Sequence, residues 1–139
     1  MNKKEILRIA KLVRNTIIEG NKTFGHFEDD LGGACAMASV FLFVELQKAN
    51  FDPVIATSEF HFFVVERKLN LLVDVTATQF GQPQIIVKNY DSVKRIIKEK
   101  IDAPWWNAVD FYTSVSKSNL KQELNYVRRY INVVNAQNV

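Results

Sequence analysis

Apolar side chains recur along this chain with two different periods. Over residues 3–19, Ile6, Ile9, Leu12 or Val13, and Ile17 fall at helical spacing, with Lys4, Arg8, Lys11 and Arg14 mostly between them. That pattern predicts an amphipathic helix with a basic solvent face, ending at Gly20-Asn21. Residues 21–33 read as a polar loop closing on Gly32-Gly33. Residues 34–49 are apolar nearly all round, which predicts a central helix buried on every side, because a surface helix keeps a polar face. It should stop at Asn50, with Pro53 soon after. Runs at 54–58, 60–66, 69–75 and 84–88 are rich in Val, Ile, Phe and Thr and read as strands. Helical stretches at about 91–100 and 104–115 lead to a long C-terminal helix, about 119–135, in which Leu120, Leu124, Val127, Ile131 and Val134 recur at helical spacing. The order of helices, antiparallel meander and helices specifies an α+β fold. Its centre is a buried helix on an antiparallel sheet of about four strands, flanked by N- and C-terminal helices. No repeat, low-complexity segment or linker interrupts the pattern, so residues 1–139 read as a single domain.

Composition narrows the function classes more than the fold. The chain has 139 residues, 47% hydrophobic and 24% charged, with five Gly and three Pro. A length near this is typical of one domain and buries enough surface to fold without staples. Its one cysteine excludes an internal disulfide and any zinc site built from cysteines, and no metal or other cofactor is expected. The net charge of +3 is too mild to argue for nucleic acid. Its distribution is uneven: residues 1–25 carry six basic and two acidic side chains, residues 26–59 one and six, residues 60–139 eleven and seven. The acidic middle contains the cysteine. The N-terminal apolar residues are interrupted by Arg8, Lys11 and Arg14, so no signal-peptide core forms. The longest uncharged run, 31–44, is too short to span a membrane. A cytoplasmic address is therefore the default expectation, although a specialised secretion system leaves no such trace.

Three side chains carry candidate chemistry. Cys35 directly follows the Gly-Gly loop at the start of the buried helix. There the unpaired amides and the positive helix end favour a thiolate and can hold an oxyanion. Gly32 and Gly33 let a substrate backbone approach. Opposing this, Glu28-Asp29-Asp30 lies just upstream, and nearby carboxylates favour the thiol. Free cysteine is also among the most buried residue types, so Cys35 reads either as a nucleophile or as a small core residue. His61 opens one strand and Asp74 ends the next. A hairpin turning between Arg67 and Lys68 pairs residues whose numbers sum to 135, which sets His61 directly opposite Asp74, Phe63 opposite Leu72, and Val65 opposite Asn70. Opposed side chains are close enough for an imidazole–carboxylate hydrogen bond. The alternative is a structural His–Asp pair at the end of a sheet.

The segments Gly-Gly-Ala-Cys35-Ala-Met-Ala-Ser, His61-Phe-Phe-Val-Val-Glu and Leu72-Val-Asp-Val-Thr-Ala-Thr-Gln-Phe80 resemble the compact core of the papain-like and transglutaminase-like cysteine enzymes. These include peptidases, protein-glutamine deamidases, transglutaminases and amide acyltransferases, and some small domains of this kind are bacterial effectors or toxins. The resemblance covers about residues 31–81. It implies Cys35 as nucleophile, His61 as general base and acid, and Asp74 as the carboxylate that orients the histidine. The sequence departs from the pattern in three places. Asp29 stands where papain-type enzymes carry an oxyanion glutamine, Ala36 where an aromatic is frequent, and Phe62 and Phe63 where a tryptophan often accompanies the histidine. An oxyanion hole here would rest on the Cys35 amide and a second donor, for which Gln79 is the candidate, with a loop-structuring amide as its other reading.

The remaining candidates are weaker. Gly33 and Trp105 are candidate substrate contacts, and Trp105-Trp106 reads either as a cleft wall or as packing on the sheet. His26 in the loop before the cysteine is a substrate contact or a surface histidine. Phe24, Phe27 and Phe80 shape an apolar subsite or belong to the core. The expected function is that of a cysteine-dependent hydrolase or acyl-transfer enzyme acting on an amide through a thioester. The short chain points to a side-chain amide or one particular peptide bond. The acidic segment points to a protein or peptide substrate that is basic near that bond. The competing expectation is a non-catalytic α+β protein-binding module in which Cys35 is packing.

Overall fold

The computed structural model describes residues 2–28, 31–58, 61–80, 83–90, 110–112 and 117–137. Helix α1, Lys3–Phe24, starts where the Asn2 carboxamide accepts the Glu5 amide N–H at 3.0 Å, and ends at Gly25 with φ 64°. It buries Ile6, Ile9, Ala10, Val13 and Ile17 in one stripe, as the spacing requires. The expected stop at Gly20-Asn21 is wrong, because both residues serve tertiary packing. A Cβ on Gly20 would lie 2.4 Å from Cδ2 of Tyr130, so the glycine is a notch for that ring. The Asn21 carboxamide holds the following loop by exchanging two 3.0 Å hydrogen bonds with the Phe27 backbone.

Helix α2, Cys35–Lys48, is the central helix, with Met37, Ala38, Ser39, Val40, Phe41, Leu42 and Leu46 buried. It ends in a Schellman motif. Asn50 takes the left-handed conformation (φ 66°), its N–H bonds the Gln47 carbonyl, and the Phe51 N–H bonds that of Leu46. The chain then passes into strands β1 (Pro53–Ser58), β2 (His61–Glu66), β3 (Leu71–Asp74) and β4 (Ile86–Asn89). A single 3-10 turn, Ala77–Phe80, lies between β3 and β4. A fifth strand, β5 (Asp110–Tyr112), pairs with β1. The sheet order is β4-β3-β2-β1-β5 and all pairs are antiparallel. Strand β5 corrects the helix expected over 104–115 for its three residues; the rest of that stretch and the helix expected over 91–100 lie outside the described residues. Helix α3, Lys117–Gln137, closes the chain.

The β2–β3 hairpin corrects the expected register. Val64 pairs with Val73, Val65 with Leu72 and Glu66 with Leu71, so paired numbers sum to 137 rather than 135. The loop is residues 67–70, centred between Lys68 and Leu69 rather than between Arg67 and Lys68. A hairpin loop favours a left-handed residue such as Asn or Gly where the chain re-enters the strand, and Asn70 takes that place with φ 55°. The fully buried Glu66 carboxylate fixes this loop by accepting the N–H groups of Asp52 and of Leu69 (2.8 Å). The Arg67 guanidinium closes it from outside with two bonds to the Asp52 carboxylate, 2.7 and 3.0 Å.

Val64, Leu71, Val73 and Val75 join the core formed by α1, α2 and α3. The alternate positions, Phe63, Val65, Leu72 and Ile86, are buried too, so both faces of this part of the sheet are removed from water. Strands buried on both faces carry continuous apolar runs, which is how β2 and β3 read in the sequence.

Candidate functional site at the start of the central helix

Cys35 is the first residue of α2, and it is half-buried. The loop before it is tightly wound: Leu31 donates to the Glu28 carbonyl at 2.8 Å, and Ala34 to the Leu31 carbonyl at 3.0 Å. Two of its residues are left-handed, Gly33 at φ 86° and Leu31 at φ 66°. Glycine adopts this conformation freely, but leucine does not, and the buried Leu31 is held there by its surroundings. Ala34 precedes the helix and provides no side-chain cap. Among the described residues nothing accepts a hydrogen bond from the N–H groups of Cys35, Ala36 or Met37. Among the described residues, then, no side chain caps the positive end of α2 beside the thiol.

The topology places the other two candidates, His61 and Asp74, on neighbouring strands at one end of the sheet. The four residues between α2 and β1 make the helix run back against β1, so its N-terminus lies toward the end of the sheet where β1 stops. A helix of 14 residues spans about 20 Å, and a strand of six spans about the same. His61 begins β2 at that end, paired with Ser58. Asp74 ends β3 there, paired with Ile86.

The details differ from a directly opposed His–Asp pair. In the observed register position 74 continues opposite Phe63, and position 61 lies diagonal to it. Strand alternation assigns positions 61 and 74 to the face of Phe63, Val65 and Leu72, not to the face of Val64 and Val73 that packs on α2. The side chains of His61 and Gln79, and the whole of Trp105 and Trp106, lie outside the described residues, as do Asp29 and the side chain of Phe80.

Asp74 is 1% exposed, and its carboxylate accepts the Thr76 N–H at 2.9 Å, which turns the chain into the 3-10 turn carrying Gln79. Arg14 reaches the same segment from α1. Its guanidinium donates to the Val75 carbonyl at 2.7 Å, to Thr78 Oγ1 at 3.3 Å and to the Gln84 carbonyl at 3.3 Å. Burial pulls this guanidinium below its ordinary pKa, and the Asp74 carboxylate works in the opposite direction. Reading Arg14 as part of a solvated face overlooked its place on the wheel. It lies four residues after Ala10 and three before Ile17, inside the buried stripe.

Beside the start of α2 is a cleft of about 320 Å³, lined by His26, Phe27, Gly33, Ala36 and Met37 and by Glu123 and Tyr126 of α3. His26 is exposed on the loop, as expected of a surface histidine, and it also has aromatic neighbours. Its ring stacks on Phe24 (centroids 5.4 Å apart) and meets Tyr126 edge-on at 5.8 Å. Burial pushes the Glu123 carboxyl above its ordinary pKa. The sequence reading missed Glu123 and Tyr126, because only α3 packing against α1 and α2 brings them to the loop before Cys35. Among the described residues no three His, Cys, Asp or Glu side chains converge as a metal site would need, and no helix is long and apolar enough to cross a membrane. Comparison with family models, with characterised proteins and with solved structures gives no match for this chain.

Proposed function

We propose that this chain is a cysteine-dependent enzyme that opens an amide, with Cys35 as nucleophile, His61 as proton carrier and Asp74 as the carboxylate that orients it. What supports this reading is the position of Cys35 as the first residue of α2, together with His61 at the start of β2 and Asp74 at the end of β3, neighbouring strands at one end of the sheet. Because positions 61 and 74 belong to the face away from α2, the triad would close over the end of the sheet rather than across its helix-covered face. In the reaction the Cys35 sulfur attacks the carbonyl carbon as its proton passes to His61. The amides at the start of α2 receive the developing oxyanion. The C–N bond then breaks, His61 returns the proton to the departing ammonia or amine, and a thioester remains. Water, losing a proton to His61, releases a carboxylic acid and the free thiol; an amine in its place gives a new amide.

The face assignment of positions 61 and 74 favours a second reading, a non-catalytic binding module in which Cys35 is packing. Thiol alkylation separates the two. The chain has one cysteine, so every adduct reports on Cys35. The enzyme reading expects native protein to react with iodoacetamide at about pH 6–7 faster than a free thiol of pKa about 8.5, and H61A to lose that advantage. Alkylation only after unfolding, or an H61A protein that reacts as fast as the parent, defeats it.

A further inference from the structure

The cleft beside α2 carries a feature that thiol chemistry does not use. Glu123 is half-buried, and among the described residues it has no hydrogen-bond or ion-pair partner. A carboxylate withdrawn from water without a partner is costly, and burial alone raises its pKa. Aromatic rings share its cleft: Phe27, His26 and Tyr126 line it too. Tyr126 already attracts a cation, since the Arg129 guanidinium, which does not line the cleft, lies 5.8 Å from its centroid. A carboxylate among aromatic rings is complementary to an organic cation, whose alkyl body meets the ring faces and whose charge meets the carboxylate.

We propose that this cleft binds an alkylammonium group, held by Glu123 and enclosed by Phe27, His26 and Tyr126. The positive end of α2 opposes such a ligand. That end amounts to about half a unit charge spread over several amides, against a full negative charge on Glu123, so the carboxylate prevails. A cleft of about 320 Å³ accommodates the end of a lysine side chain or a small quaternary amine. The proposal does not depend on Cys35 being a nucleophile.

The test is calorimetric titration of the intact protein at about pH 8, where an ordinary carboxyl is ionised, with two matched pairs of probes. Choline is compared with its neutral isostere 3,3-dimethylbutan-1-ol, and Nα-acetyl-lysine methylamide with the norleucine analogue. Each cation is expected to bind at least about tenfold more tightly than its neutral counterpart. Tighter binding of choline identifies a free quaternary amine as the natural ligand type, and tighter binding of the lysine derivative identifies a peptide side chain. E123Q should lose about tenfold in affinity, and C35A should bind like the parent, which keeps the outcome separate from that of the thiol experiment. Neutral probes that bind as well as the cations overturn the proposal without need of any variant. So do cations that leave the amide resonances of Ala36, Glu123 and Tyr126 unmoved at tens of millimolar.

Discussion

Replacing Gly20 by alanine tests the packing that brings α3 against α1 and so builds one wall of the cleft. Two effects compete. Alanine inside a helix is favoured over glycine by about 1 kcal/mol. Against this, the new methyl would lie 2.4 Å from Cδ2 and 2.8 Å from Cγ of Tyr130. These atoms are at the base of a fully buried ring, not at the end of a mobile side chain, so ring and helix must separate by about 1 Å to restore an ordinary contact. Overpacking of this kind costs about 1–3 kcal/mol. The methyl clash is expected to win, with a net loss of up to about 2 kcal/mol and a fall in melting temperature of up to roughly 8 °C for a chain of this size. Thermal unfolding followed by circular dichroism reads it directly. A cycle with Y130A isolates the cause: once the ring is gone, G20A should become stabilising by about 1 kcal/mol. A G20A protein that melts above the parent, or a penalty of equal size in the Y130A background, would refute the assignment of Gly20 as the seat of Tyr130.

Two further outcomes follow from the sheet end opposite the candidate site. E66Q leaves one of the two N–H groups of Asp52 and Leu69 facing an amide nitrogen at the fully buried Glu66 position, and should lower stability in urea unfolding by about 1–3 kcal/mol; a change below about 0.5 kcal/mol, typical of a surface substitution, would show that Glu66 does not hold the loop. The hydrogen bond from Arg67 depresses the Asp52 pKa. A depressed carboxylate contributes stability above its unfolded value of 3.8 that disappears as pH falls through the folded value. D52N should therefore flatten the acid limb of the melting-temperature profile below about pH 4 at low salt; an unchanged acid limb contradicts the pairing.

The elements most legible in the sequence were those set by local periodicity. Ile6, Ile9, Val13 and Ile17 announce α1, the all-round apolar run announces α2 as central, and the Val- and Phe-rich runs announce β1 to β4, because burial of a repeating face needs only the spacing of side chains. Cys35 at the start of α2 was legible for the same reason, since Gly33 and the change of composition mark the helix start. Tertiary structure decided the rest. Gly20 and Asn21 have the chemistry of a helix stop, but a ring from residue 130 and a loop at residue 27 draw them into the helix instead. The hairpin register depends on how Glu66 and Asp52 share backbone N–H groups, which no periodicity records, and it moves Asp74 from opposite His61 to opposite Phe63. Arg14 on a core stripe, and Glu123 and Tyr126 beside the cysteine loop, are brought into place by contacts spanning 60 to 100 residues of chain. Spacing along the sequence determined which side chains repeat on a face; only the packed chain determined which faces meet.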